Sequence, residues 1–137
     1  MKVNMETTVN ASADKVWETI GDFNGLPEYV EAVINSQIQG EGIGTERTLT
    51  LSDGGEIIEK LEDYNPEDKM LKYSIVNSPL PVENYVSTMK VLAMGDDQCK
   101  VEWMSTFDAK GASETDAKSV IEGIYSMGFN GLHKLHG

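Results

Sequence analysis

SETDAKSVIEGIYSMGFNGLHKLHG, residues 113–137, decides how the rest of the chain is read. Ser113-Glu-Thr-Asp116 is a Ser-x-x-acid start whose side chains can satisfy the first free N–H groups of a helix. Ala117, Val120, Ile121, Ile124, Gly128, Leu132 and Leu135 then recur at three- and four-residue steps, the period of an amphipathic helix. At about 1.5 Å per residue such a helix runs on the order of 33 Å, long enough to lie across a whole sheet. Gly123, Gly128 and Gly131 are costly inside it, by up to about 1 kcal/mol each relative to Ala, which points to close helix-to-sheet approach or, at Gly128, to room for a ligand.

The segments before it supply the sheet. Lys2 to Asn10 alternates, with Val3, Met5, Thr7 and Val9 in one phase. Ser12 caps a short helix carrying Val16, Trp17 and Ile20 and ended by Gly21, and a second short helix, Leu26 to Val30, has Pro27 in its first turn. From Ala32 to Asp108 the periodicity predicts strands at about 33–39, 45–51, 56–63, 70–77, 83–93 and 99–108. They are separated by Gly-Glu-Gly, Asp-Gly-Gly, Asn-Pro-Glu-Asp, Ser-Pro-Leu-Pro and Gly-Asp-Asp turns, as hairpins require. The expected fold is α+β, a helix-grip: a seven-stranded antiparallel sheet curved around the long C-terminal helix, with two short helices between strands 1 and 2. Residues 1–137 read as one domain, with no linker or composition shift.

Two charged residues break the pattern. In Thr45-Glu-Arg-Thr-Leu-Thr-Leu51, Arg47 shares the apolar phase of Leu49 and Leu51; in Glu56-Ile-Ile-Glu-Lys-Leu-Glu62, Glu59 shares that of Ile57 and Leu61. An unpaired buried ion is costly, so an inward Arg and an inward Glu imply a pair, a wet cavity, or both. A three-residue hairpin at Asp53-Gly-Gly55 that makes Leu51 and Ile57 neighbours would set Arg47 opposite Leu61 and diagonal to Glu59, within reach of a long side chain. The same alternation turns Leu71, Tyr73 and Ile75 inward on the next strand, Tyr85, Ser87, Met89 and Val91 on the one after, and Val101, Trp103, Ser105 and Phe107 on the last. With Arg47, Leu49, Ile57 and Glu59, and with Ile121, Ile124 and Gly128 from the helix, the residues Tyr73, Ile75, Tyr85, Ser87, Met89, Trp103, Ser105 and Phe107 are the expected lining of an internal cavity of roughly 300 Å³ or more. Most of these large side chains would serve equally as ordinary core, and an Arg–Glu pair can simply fix strand register.

The bulk properties narrow the partners. A formal charge of -12 with scattered Lys and Arg disfavours nucleic acid and anionic membrane surfaces. Met1 to Val9 alternates and offers no signal peptide or membrane span, so the expectation is a cytoplasmic protein without stable membrane insertion. The lone Cys99 reads as a strand-end thiol, no His/Cys spacing suits a metal, and no cofactor is implied. His133 and His136, beside Lys134, suit the negative end of the last helix better than catalysis.

Val16-Trp17, Asp22-Phe-Asn-Gly-Leu26, Gly44-Thr-Glu-Arg47, Gly54-Gly55, Glu59-Lys-Leu61, Tyr73-Ser-Ile75, Pro79-Leu-Pro81, Tyr85 and Val101-Glu-Trp103, in that order, resemble the polyketide cyclase/dehydrase and lipid-transport family of the START-like (SRPBCC), birch-pollen-allergen-like superfamily. The resemblance covers nearly the whole chain and implies a helix-grip with a cavity for sterols, lipids, polyketides or plant hormones. Glu59 through Tyr85 also resembles the plant lachrymatory factor synthases, which implies a cavity Arg, Glu and Tyr at Arg47, Glu59 and Tyr85. The same segment is similar to the abscisic acid receptors, which implies a gate at Asp53-Gly54-Gly55 and a latch at Ser78-Pro79-Leu80-Pro81, though the receptors' His-Arg-Leu latch is absent.

Three functions remain open on this reading. The chain binds or carries a small, largely apolar ligand with a polar or anionic end; or it is a cavity lyase, isomerase or cyclase with Glu59 as general acid/base, Tyr85 as donor and Arg47 as electrostatic stabiliser; or loops 52–55 and 77–82 close on a ligand and present a surface to another protein.

Overall fold

Seven strands and a long helix account for most of the computed structural model, which describes residues 1–137. β1 (Lys2–Val9) leads through α1 (Ala13–Ile20) and one 3-10 turn (Leu26–Glu28) into β2 (Val33–Gln39), β3 (Glu46–Leu51), β4 (Glu56–Asn65), β5 (Met70–Asn77), β6 (Val82–Ala93) and β7 (Cys99–Ala109), and α2 (Glu114–His136) closes the chain. The sheet is antiparallel in the order β1-β7-β6-β5-β4-β3-β2, so a meander from β2 to β7 is finished by β1 returning beside β7. This is the α+β helix-grip expected from the periodicity.

Local chemistry sets the boundaries. Ser12 and Ser113 each accept from the backbone N–H three residues on, at Lys15 and Asp116, and so cap α1 and α2. The second short helix is less than predicted: only the single turn Leu26–Glu28 forms, and Tyr29 already leaves helical geometry. Its role is to bring Tyr29 and Val30, both nearly inaccessible, under α2.

The register of β3 on β4 differs from the expectation by one step of the pleat. The hairpin loop is Ser52–Gly54, with Gly54 at φ +91°, and Leu51 N–H donates to the Gly55 carbonyl at 2.8 Å. Leu49 therefore faces Ile57, and Arg47 stands directly opposite Glu59 rather than opposite Leu61. The odd loop length and left-handed glycine were legible; the pair on which the loop closes was placed one pleat too far out.

The buried stripe of α2 is Ala117, Ile121, Tyr125, Gly128, Phe129 and Leu132. Val120 and Leu135, predicted on it, are 38% and 50% exposed. The stripe is centred on the 117, 121, 125, 128, 132 line, which leaves 120 and 135 at its margins. Tyr125 and Phe129 are core residues that the aliphatic period alone passed over.

Candidate functional site

The alternation that puts Arg47 and Glu59 on the concave face also buries them, at 3% and 5% exposure. Arg47 Nε donates to Glu59 Oε1 at 2.8 Å, Nη2 lies 2.7 Å from the same oxygen, and Nη1 donates to the Phe23 carbonyl at 2.8 Å. Although close to Oε1, Nη2 makes no well-aligned hydrogen bond. The guanidinium carbon sits 4.0 Å from the centre of the Phe23 ring and 4.9 Å from that of Tyr73, so aromatic faces cover the cation where water does not reach. Burial pushes the Glu59 carboxyl above its ordinary range while Arg47 pulls it back. Arg47 keeps its charge because a guanidinium does not give up its proton, and Glu59 is its one anionic partner. All contacts fall on Oε1; Oε2 has no protein partner and is not fully enclosed by the protein.

A second polar group lies across the same face. Trp103 Nε1–H is shared between the Tyr73 hydroxyl, 3.1 Å, and Ser87 Oγ, 3.0 Å. Ser87 donates to the Met104 carbonyl at 3.1 Å and lies 3.0 Å from the Tyr125 hydroxyl, which is also hydrogen-bonded to Tyr85. The Tyr125 ring stacks on Trp103 with centroids 4.1 Å apart. Burial raises the Tyr73, Tyr85 and Tyr125 hydroxyls above the ordinary phenol range, so all three are protonated. Tyr125 was missing from the sequence-derived site because its place on the helix stripe reads as packing; an aromatic hydroxyl facing a wall that already holds Tyr73, Tyr85 and Ser87 was the available signal.

Between these groups lies a cavity of about 200 Å³, smaller than predicted. Leu49, Ile57, Glu59, Tyr73, Ile75, Tyr85, Trp103, Ile121 and Ile124 line it, as do Leu26, Val30, Ala32, Val33, Leu51, Leu80, Val120 and Met127, which sequence reasoning did not select. Glu59 is the one charged residue in this wall. Of the other expected lining residues, Arg47 is held behind Glu59, and Ser87, Met89, Ser105 and Phe107 are buried outside the lining. Gly128 is likewise absent from it: a Cβ there would stand 2.6 Å from Trp103 Cζ3, so this glycine admits the indole and not a ligand. A larger depression of about 770 Å³ lies outside, between the 3-10 turn and the end of α2, but it is an open groove without the polar groups described above.

The remaining candidates are structural. His133 Nε2 meets Thr7 Oγ1 and His136 Nε2 meets Thr19 Oγ1, each at 2.9 Å, pinning the end of α2 to β1 and α1 outside the cavity lining. Burial raises the Cys99 thiol, away from the reactive thiolate. No cluster of three or more His, Cys, Asp or Glu side chains is placed to hold a metal, and no helix is long and apolar enough to cross a membrane.

Comparison with known proteins agrees with this architecture. The protein XoxI from Bacillus cereus is 34% identical, with 98% of this chain and 94% of that one covered and a TM-score of 0.93. A protein from Bacillus thuringiensis is also 34% identical, with 98% of each chain covered and a TM-score of 0.93. The ZhuI aromatase/cyclase from a Streptomyces species shares the fold, with a TM-score of 0.81 over 98% of this chain and 92% of its own, at 16% identity. No match is found among curated proteins. The family model for polyketide cyclase/dehydrase and lipid transport matches residues 1–137, and the chain belongs to that family.

Proposed function

We propose that the protein binds a small, largely apolar molecule carrying one polar group in the cavity between the sheet and α2. The observation that carries this reading is an apolar enclosure whose single charged wall residue, Glu59, keeps one carboxylate oxygen unpartnered. A carboxylate oxygen beside open space in an apolar wall is costly unless something hydrogen-bonds to it. The volume of about 200 Å³ is below the roughly 300–1,000 Å³ of sites for drug-sized ligands, which favours a compact molecule over a sterol or long acyl chain. Calorimetric titration tests this. Ethylbenzene-sized probes should bind saturably and palmitate should not; absence of saturable binding by every compact probe, with nothing co-purifying in native mass spectra of protein from its source, would remove the reading.

The free Oε2 also supports a second reading, a cavity lyase, isomerase or cyclase in which Glu59 moves a proton. Arg47 would then be a positioning residue, since it grips the far carboxylate oxygen from outside the lining. With a substrate recovered by co-purification, Glu59→Gln should lower turnover by about 10²–10⁴ while leaving binding within a few-fold. Full turnover in a folded Glu59→Gln protein would leave the binding reading alone.

A further inference from the structure

The hydroxyl network has a direction that follows from counting protons. Ser87 has one hydroxyl proton and donates it to the Met104 carbonyl, which can only accept. Ser87 Oγ must then accept from Tyr125, 3.0 Å away, as it does from Trp103 Nε1. With its own proton committed to Ser87, the Tyr125 oxygen must accept in its short contact with Tyr85, so the Tyr85 proton points into the network and away from any ligand. Tyr73 stands at the head of the chain. Its oxygen accepts from Trp103; the neighbouring Ser87 Oγ is already filled by Trp103 and Tyr125, which leaves for the Tyr73 proton the Tyr85 oxygen at 3.5 Å, beyond the 2.5–3.0 Å of a normal O–H···O bond.

Tyr73 and Tyr85 both line the cavity with Glu59, and Leu61 opposite Tyr73 and Ile75 opposite Glu59 place Tyr73 and Glu59 diagonally on one face of β4 and β5. The wall therefore offers a ligand one donor, the Tyr73 O–H, and two acceptors, Glu59 Oε2 and the Tyr85 oxygen. Arg47, the one cation nearby, is occupied by Glu59 and the Phe23 carbonyl and does not line the space. Resting on the binding reading above, we infer that Tyr73 rather than Tyr85 is the donor to the ligand, and that the site selects a neutral hydroxyl, a phenol or alcohol, which accepts from Tyr73 and donates to Glu59, over a carboxylate or another anion. A hydroxyl satisfies both partners at once; a carboxylate meets a single donor and a like charge.

Titration of the wild-type protein with four probes of one shape tests this: 4-ethylphenol, 4-ethylanisole, 4-ethylbenzoate and ethylbenzene. The phenol should bind at least tenfold more tightly than its methyl ether, and the benzoate most weakly of all. Tyr73→Phe should lose most of the preference for phenol over anisole while leaving ethylbenzene within about twofold, and Tyr85→Phe, which removes an acceptor but not the donor, should reduce that preference less than Tyr73→Phe does. Equal binding of phenol and anisole, or tightest binding of the benzoate, overturns the inference while leaving the cavity reading intact. Failure of all four, ethylbenzene included, sinks the cavity reading itself. The wild-type series decides the matter even if Tyr73→Phe does not fold.

Discussion

Arg47→Met should destabilise the protein by about 3–5 kcal/mol, the cost of leaving one member of a buried pair alone. At roughly 3–5 °C per kcal/mol for a domain of this size, the thermal midpoint should fall by about 9–25 °C. The substitution removes two contacts to Glu59 Oε1, the bond to the Phe23 carbonyl and the cation from the faces of Phe23 and Tyr73. What remains is a carboxyl group in an apolar wall, already lifted by burial and now without the cation that held it down. Its folded value, already above the unfolded one in the wild type, then rises further, so the added penalty is absent below the wild-type folded value and complete once pH passes the variant's folded value. The gap in midpoint between wild type and Arg47→Met should therefore narrow on acidification. Adding Glu59→Leu should restore most of the lost stability, because a well-packed apolar pair often matches a buried ion pair. Melts across pH check both statements; a gap that is constant with pH, or a double variant no better than the single, would show that Glu59 is not the stranded group.

Much of this arrangement was legible because a strand has a period of two and a helix a period near 3.6. Alternation alone placed Arg47 and Glu59 on the concave face and located all seven strands within a residue or two. It did not fix which residues meet, since that depends on where the Ser52–Gly54 loop closes. Nor did it separate the cavity wall from the layer behind it. Ser87 and Tyr85 lie in one phase of one strand, yet Tyr85 reaches the cavity and Ser87 serves as the acceptor between Trp103 and Tyr125. That division depends on side-chain length and on the placing of α2, which a strand pattern does not contain. The two histidines show the same limit: their position beside the helix end was readable, while their partners Thr7 and Thr19 are more than a hundred residues away in sequence.

Gly131→Ala should cost about 2–4 kcal/mol and lower the midpoint by roughly 6–20 °C, although alanine is the better helix former by up to about 1 kcal/mol. A Cβ at position 131 would lie on the backbone of Tyr29, 2.5 Å from its carbonyl carbon and 2.7 Å from its Cα. A main-chain obstacle cannot rotate away as a side chain can, so α2 or the 26–31 segment must move. Neither moves freely: Tyr29 and Val30 are at 3% and 1% exposure, Val30 lines the cavity, and the Tyr29 hydroxyl donates to Met89 Sδ at 3.8 Å. The end of α2 is tied down through His133 and His136. Gly123, on the same helix, is the control, because a Cβ there meets nothing within 4 Å. Gly123→Ala should raise the midpoint by a few degrees, with propensity as its only effect. Gly128→Ala should resemble Gly131→Ala more than Gly123→Ala, since the Trp103 ring it would strike is held by stacking on Tyr125 and by hydrogen bonds to Tyr73 and Ser87. Equal midpoints for Gly131→Ala and Gly123→Ala would mean that α2 does not rest on the Tyr29 backbone.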